Sequence, residues 1–232
     1  MNFLERFLTF LILLVASQSS AQQVDEDQWG LWTMGFFRVD LKDSPWGFQG
    51  DVQYRTHDLG ADLEQLMLRA GATWRPKKGG AIYTVGYAHI PIGVPGEDRG
   101  SIAERRIHQE GLWPHHPGGR FFLNYRVRLE ERWIPGLEFR TRMRYALFLN
   151  VPLNNPTLEP GTTYLAFYDE VFLNGPVIFW GDVGTTFYDR NRLYAAVGRV
   201  LGPHWRVQAG AMLQSTNTWR KYYWQLSAHL RL

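Results

Sequence analysis

The feature that most constrains the fold is a pair of long alternating segments between residues 120 and 149. In RFFLNYRVRLEERW and in GLEFRTRMRYALFL, apolar residues alternate with residues that are mostly charged. Alternation with a period of two places the apolar side chains on one face of a strand and the charged side chains on the other. Ile134, Pro135 and Gly136 join the segments. We therefore predict two adjacent strands with one apolar wall and one wall of arginine and glutamate.

The first 21 residues have the pattern of a secretory signal peptide. Arg6 precedes an apolar run over residues 8–16, and Ser19, Ser20 and Ala21 are the small residues of a cleavage site. We predict cleavage after Ala21 and one domain over residues 22–232; the alternative for the N-terminus is an amphipathic helix. No later stretch approaches the roughly 18 apolar residues of a transmembrane helix. The chain has no cysteine, which excludes a lipoprotein anchor and a disulfide framework.

The C-terminal residues form a further alternating segment that ends on the last residue, Leu232. An amphipathic strand in this position is typical of outer-membrane barrels and indicates recognition by the barrel-assembly machinery. Ten Trp and eleven Tyr residues agree with the aromatic girdles that such barrels place at the lipid interfaces. The net charge is only +3 and the arginines alternate with apolar residues instead of clustering, so we expect no nucleic-acid partner.

Eleven segments of the chain read as strands, most of them ten to fourteen residues long. Strands of this length favour a bilayer over a globular core. Bacterial membrane barrels have an even number of strands. We therefore predict an all-β, transmembrane antiparallel up-and-down barrel of twelve strands, with residues 177–186 as the extra strand, or of ten strands. A soluble lipocalin-like barrel that binds an apolar ligand is the structural alternative.

The segments RLEERW, RTRMRYAL, FYDEVFLN and FYDRNRLYAAVGRV occur in this order before the closing strand. In these residues the chain resembles the family of outer-membrane β-barrels catalogued as domain of unknown function 2490, and the likeness covers nearly the whole mature sequence. Its most specific parts are Asp169 with Glu170, and Asp189 with Asn191 and Arg192; Arg190 stands where the family usually has Gln. The resemblance implies a porin-like barrel in the Gram-negative envelope and supplies no activity.

If the apolar wall faces lipid, the charged wall must face the barrel interior, because each Arg at the lipid midplane costs about 2–4 kcal/mol. We predict an interior charge ladder, which arginines can build by bridging carboxylates. Its purpose stays open between a structural role and a narrow pore that prefers small anionic solutes. The predicted ladder residues are Arg126, Arg128, Glu130, Glu138, Arg140, Arg142, Arg144, Glu170 and Arg192, joined by Arg55, Arg69, Arg106 and Glu110.

Two adjacent pairs conflict with simple alternation: Asp169 with Glu170, and Asn191 with Arg192. One member of each pair faces lipid unless a bulge or the membrane rim accommodates it. We expect Glu170 to meet Arg192 and the arginines of the 120–149 hairpin.

The enzymatic alternative is a membrane-embedded lipid hydrolase, which needs a His beside Ser or a carboxylate. The seven histidines show no such pairing in the sequence. We expect no catalytic residue, no metal and no cofactor.

Overall fold

The computed structural model describes residues 26–78, 80–93, 101–175 and 187–232. Every regular element in this part of the chain is a strand. The strands are β1 (Gly30–Asp40), β2 (Trp46–Thr56), β3 (Leu63–Trp74), β4 (Ile82–Gly93), β5 (Ser101–Gly118), β6 (Phe121–Trp133), β7 (Arg140–Pro152), β8 (Thr163–Asn174), β9 (Tyr188–Val200), β10 (Trp205–Ser215) and β11 (Arg220–Arg231).

The strands close into a single barrel in chain order, and each one pairs antiparallel with the next. The closing pair, β1 with β11, is parallel and runs from Gly30 opposite Tyr223 to Arg38 opposite Arg231. A parallel closing pair permits an odd number of strands. The prediction of twelve strands, or of ten, was therefore wrong: eleven strands form the wall in the described residues.

The parallel seam also places the beginning and the end of the wall on opposite rims. We call the rim at which β1 begins rim A and the rim at which β1 ends rim B. Because β11 runs parallel to β1, the wall begins at rim A and ends at rim B. At rim B, the backbone N–H of Leu232 donates to Arg38 O, and that of Asp40 donates to Leu232 O, both at 2.8 Å. An even number of antiparallel strands brings both ends of the wall to the same rim. The expectation of ten or twelve strands rested on that condition, which the parallel seam removes.

The polarity of the wall is inverted relative to a water-soluble barrel. Charged and amide side chains on alternate positions are buried inside, whereas large apolar side chains on the intervening positions are exposed outside. In β6, for example, Glu130 is 2 % exposed and the neighbouring Leu129 is 52 % exposed. The ladder face of the 120–149 hairpin therefore points into the barrel, and its apolar face points outward.

Two strand boundaries differ from the sequence prediction. Residues 114–119 contain two Pro and two Gly, a composition that predicts a turn, but β5 continues through Pro114 to Gly118. Strand β4 pairs with β5 only as far as Leu112, so the missing N–H of Pro114 removes no hydrogen bond to that neighbour. Strand β7 begins at Arg140 instead of Leu137.

Two other predictions fall outside the described residues: the signal peptide over residues 1–21, and the extra strand at 177–186. Strands β8 and β9 pair directly with each other in the barrel. Within the described residues, none of the chain forms a helix with the length and apolar character needed to cross a membrane.

Candidate functional site

The interior is dominated by one connected network of ion pairs. Within the described residues it joins seven arginines to five carboxylates, and every carboxylate contacts at least two arginines. The arginines are Arg106, Arg126, Arg128, Arg132, Arg142, Arg144 and Arg190, and the carboxylates are Glu104, Glu110, Glu130, Glu170 and Asp189. Because bridging carboxylates link neighbouring arginines, the network spans β5 to β9 as a single unit.

Glu130 is the most connected member of this network. Its Oε2 accepts from Arg142 Nη2 at 2.6 Å and from Arg142 Nε at 3.0 Å, and its Oε1 accepts from Arg144 Nη1 at 2.7 Å. Arg106 Nη1 lies 3.5 Å from Oε2. Three guanidinium groups on β5 and β7 thus depend on one buried carboxylate on β6.

Glu170 forms the second bridge, between the two strands of the hairpin. Its Oε1 accepts from Arg126 Nη2 at 2.5 Å and from Arg144 Nε at 2.8 Å. The expected contact with the hairpin arginines is therefore present. Arg192 donates instead to Gln214 Oε1 at 2.7 Å, and its guanidinium lies over two aromatic rings.

Two aromatic rings, those of Trp32 and Phe172, pack against interior arginines in a series of cation–π contacts. The guanidinium carbons of Arg55 and Arg192 lie 3.7 and 4.7 Å from the centroid of Trp32. Arg192 and Arg144 lie 4.6 and 4.5 Å from the centroid of Phe172. Trp32 and Phe172 are each 1 % exposed. The aromatic faces thereby stabilise Arg55 and Arg192, two buried cations outside the ion-pair network.

The cation–π series was not recognised in the sequence, although a signal was present. Trp32 and Phe172 occupy the same alternate positions as the charged residues of their strands, whereas the apolar face was assigned to the other positions. A large aromatic residue on the charged face of an alternating strand indicates a ring that packs against interior cations.

A cluster of uncharged residues fills the part of the interior beside β8 to β11. It contains Trp32, Tyr164, Ala166, Tyr194, Ala196, Val200, Met212 and Tyr223. Tyr168 stacks on Tyr194 with 4.7 Å between ring centroids, and Gln225 Nε2 donates to Tyr168 Oη at 3.0 Å. The barrel is therefore filled by an ionic half and an aromatic half that meet at Trp32.

Gly86 lets the buried ring of His108 lie against the wall. A Cβ at residue 86 would lie 2.5 Å from His108 Cε1 and 2.8 Å from the backbone oxygen of Ala70. Because the backbone contact cannot move away as a flexible side chain could, the substitution Gly86→Ala forces the wall or the ring to shift.

We expect Gly86→Ala to lower the free energy of unfolding by about 1–3 kcal/mol, as overpacking of a filled interior does. Gly35→Ala in β1 is the matched control, because no atom lies within 4 Å of its Cβ position. Urea unfolding of the purified barrel, followed by tryptophan fluorescence, measures both. Equal midpoints for the two variants would contradict the close packing of His108 against β4.

The remaining predicted site residues are more peripheral. Arg140 is half-buried at the start of β7, and Glu138 is exposed in the connection before it, outside the ion-pair network. Asp169 is exposed on the outer wall, and Asn191 Nδ2 donates to its Oδ1 at 2.6 Å. The bulge between β8 and β9 lies beyond this pair, at Phe172 and Leu173. Hydrogen bonding between the two side chains, not a bulge, therefore accommodates them on the outer face.

The structure brings together one serine and one histidine that the sequence did not indicate. Ser227 Oγ lies 3.0 Å from His229 Nε2 on the inner face of β11, and the imidazole stacks on Phe36. Arg206 lies directly opposite His229 in the pairing of β10 with β11. A cation in this position opposes the positive charge that a general base acquires, so the pair does not reproduce a hydrolase arrangement. In the described part of the chain, no three His, Cys, Asp or Glu side chains form a group that could hold a metal ion.

Comparison with known proteins gives one family-level match. The family described as "Protein of unknown function (DUF2490)" matches residues 29–226, which include all of β1 to β10 and more than half of β11. No curated protein and no solved structure matches the chain significantly.

Proposed function

This chain belongs to the DUF2490 family of proteins of unknown function, and from that premise we propose that it is an integral β-barrel of the bacterial outer membrane whose interior is closed by its own side chains. The proposed role is structural: a sealed barrel held in lipid by its outer wall and made rigid by the network inside. The proposal includes export by the N-terminal signal peptide and insertion by the barrel-assembly machinery through β11.

The observation that carries the membrane location is the inverted polarity of the wall. Exposed apolar side chains such as Val85 and Leu193 occupy the outer positions, whereas ionised side chains occupy the inner ones. In water, this arrangement would expose the apolar surface; in lipid, the apolar face meets the solvent that it prefers, and the charged side chains pair with one another inside. A lipocalin-like barrel with an apolar ligand requires the opposite distribution.

The exposed aromatic residues support the same location. At rim B, they include Trp46, Trp74, Tyr83, Phe121 and Trp205. At rim A, they include Trp133, Phe139, Phe187, Tyr222 and Trp224. Amphipathic rings at both ends of the strands, with aliphatic residues between them, match the two interfaces of a bilayer.

The test of location is fractionation of cells that produce the full chain, followed by gel migration with and without heating. We expect the protein in the outer-membrane fraction, with faster migration before heating because the folded barrel resists detergent. Recovery in the soluble periplasmic fraction would overturn the proposal.

The test of closure is conductance in a planar lipid bilayer. We expect insertion without steady current, because the ionic and aromatic halves both fill the interior with buried side chains. Stepwise currents carried by both cations and anions would contradict a sealed barrel.

An anion-preferring narrow pore is the second candidate, and the excess of arginine over carboxylate favours it. The ion-pair network contains seven arginines and five carboxylates, and Arg55 and Arg192 add two cations that aromatic rings stabilise. Small steady currents with a reversal potential set by the anion gradient would support this function in place of the sealed barrel.

A further inference from the structure

Two buried arginines of the interior leave the same nitrogen without a partner. Arg69 directs Nε and Nη2 to Asp51 at 3.0–3.1 Å, and Arg128 directs Nε and Nη2 to Glu110, with 2.7 Å from Nε to Oε2. In each guanidinium, Nη1 is buried and has no hydrogen-bond partner. The side chains of Arg69 and Arg128 are 8 % and 7 % exposed.

The two ion pairs are neighbours in the barrel. Gln49, two residues before Asp51 on β2, donates from Nε2 to Glu110 Oε1 at 3.1 Å, and His108 lies two residues before Glu110 on the same buried face of β5. Each carboxylate occupies the Nε–Nη2 edge of its own arginine, so the Nη1 ends remain for a shared acceptor. Buried N–H donors without an acceptor destabilise the folded state, and charged donors do so more strongly.

A third unpaired donor lies at the edge of the same region. Arg126 Nε is buried without a hydrogen bond and lies 3.8 Å from Glu110 Oε2, too far for such a bond. Since Glu110 lies in front of this donor, Arg126 adds positive potential to the region but does not define the binding position.

From this geometry, we propose that a small inorganic anion of the halide class binds inside the barrel, bridging Arg69 Nη1 and Arg128 Nη1 beside His108. Two buried cations, each already paired on its Nε–Nη2 edge, leave unpaired donors that one negative charge can satisfy. The ligand is small because the neighbouring residues Asp51, His108 and Glu110 are all buried. The proposed anion site requires only the closed barrel and does not depend on a membrane location. A negative result for anion binding would therefore not contradict the proposed function.

The direct test is diffraction from crystals of the full barrel grown in bromide and measured at the bromine absorption edge. We expect an anomalous peak between the two Nη1 atoms. Density without anomalous signal would show that water alone satisfies the donors and would overturn the proposal.

The test in solution compares thermal unfolding in sodium chloride with unfolding in sodium gluconate at equal ionic strength. We expect the midpoint in chloride to be about 3 °C higher, the size that occupation of one site gives for a chain of this length. The variant with Asp51→Asn and Arg69→Gln removes one donor together with its counter-charge and should lose the difference.

The matched control is the variant with Asp189→Asn and Arg190→Gln, which also removes one arginine and one aspartate. Its residues lie elsewhere in the network, with Arg190 Nε 3.1 Å from Asp189 Oδ2, so it should keep the chloride effect. The absence of a chloride effect in the unmodified protein, or an equal loss of the effect in both variants, would overturn the proposal even if one variant folds poorly.

Discussion

The substitution Glu130→Gln is expected to lower the free energy of unfolding by about 3–5 kcal/mol, the range measured when one partner of a buried ion pair is removed. Glu130 is 2 % exposed and accepts hydrogen bonds from Arg142 and Arg144. Glutamine keeps the shape of the side chain but removes the charge, and its amide N–H groups face guanidinium donors. Urea unfolding followed by tryptophan fluorescence measures the loss.

The control for this prediction is the same substitution one residue later. Glu131 lies on the outer face, where Gln109 Nε2 is 3.5 Å from its Oε1. We expect Glu131→Gln to change stability by no more than about 0.5 kcal/mol. Equal midpoints for the two glutamine variants would show that the bridging role of Glu130 contributes nothing to stability.

A second variant separates charge balance from packing. Adding Arg142→Gln to Glu130→Gln removes one of the cations that the first substitution leaves uncompensated, and Asp189 retains Arg190 as a partner. If electrostatic imbalance causes the loss, the double variant should be more stable than Glu130→Gln alone. A further loss of stability would instead assign the effect of Glu130 to local packing.

The strands and their two faces could be predicted from the sequence because alternation is a local property. In β6, each of Arg126, Arg128 and Glu130 follows an apolar neighbour, and a strand of any fold would separate them. On the premise that the apolar wall faces lipid, the inward orientation of these residues could also be predicted, from the high cost of arginine in lipid. Local alternation and this cost together assign the ladder face of β6 and β7 to the interior.

The partners of these residues could not be predicted, because they depend on the stagger of neighbouring strands. Arg144 lies directly opposite Arg128 in the pairing of β6 with β7, yet its ion pairs are with Glu130 and Glu170. These diagonal contacts follow from the barrel geometry and from the reach of the arginine side chain. Alternation within one strand contains no information about either.

The number of strands could not be predicted for a different reason. Eleven segments were visible in the sequence, and the expected even number came from other barrels instead of from this chain. The parallel seam depends on hydrogen bonds between Gly30–Asp40 and Arg220–Arg231, segments about 190 residues apart in the sequence. Neither segment contains a local sequence pattern that indicates parallel pairing.

The substitution Trp32→Leu is expected to be as disruptive as the loss of Glu130, for a different physical reason. Trp32 is 1 % exposed, holds the guanidinium groups of Arg55 and Arg192 over its ring, and donates from Nε1 to Glu64 Oε2 at 3.1 Å. Leucine removes the aromatic face and leaves a cavity. We expect a loss of about 3–5 kcal/mol in the free energy of unfolding, and a smaller loss for Trp32→Phe, which keeps a ring.

A double-mutant cycle with Arg192→Met separates the cation–π contribution from the loss of volume. If the indole stabilises the guanidinium, the effects of Trp32→Leu and Arg192→Met should be coupled by about 2 kcal/mol, because each removes the same contact. Trp74→Leu on the outer wall is the control: its ring is 40 % exposed, and we expect no coupling with Arg192→Met. Additive effects for Trp32 and Arg192 would show that the aromatic ring fills space but does not stabilise the guanidinium group. The excess arginines would then need an anion or water to stabilise them.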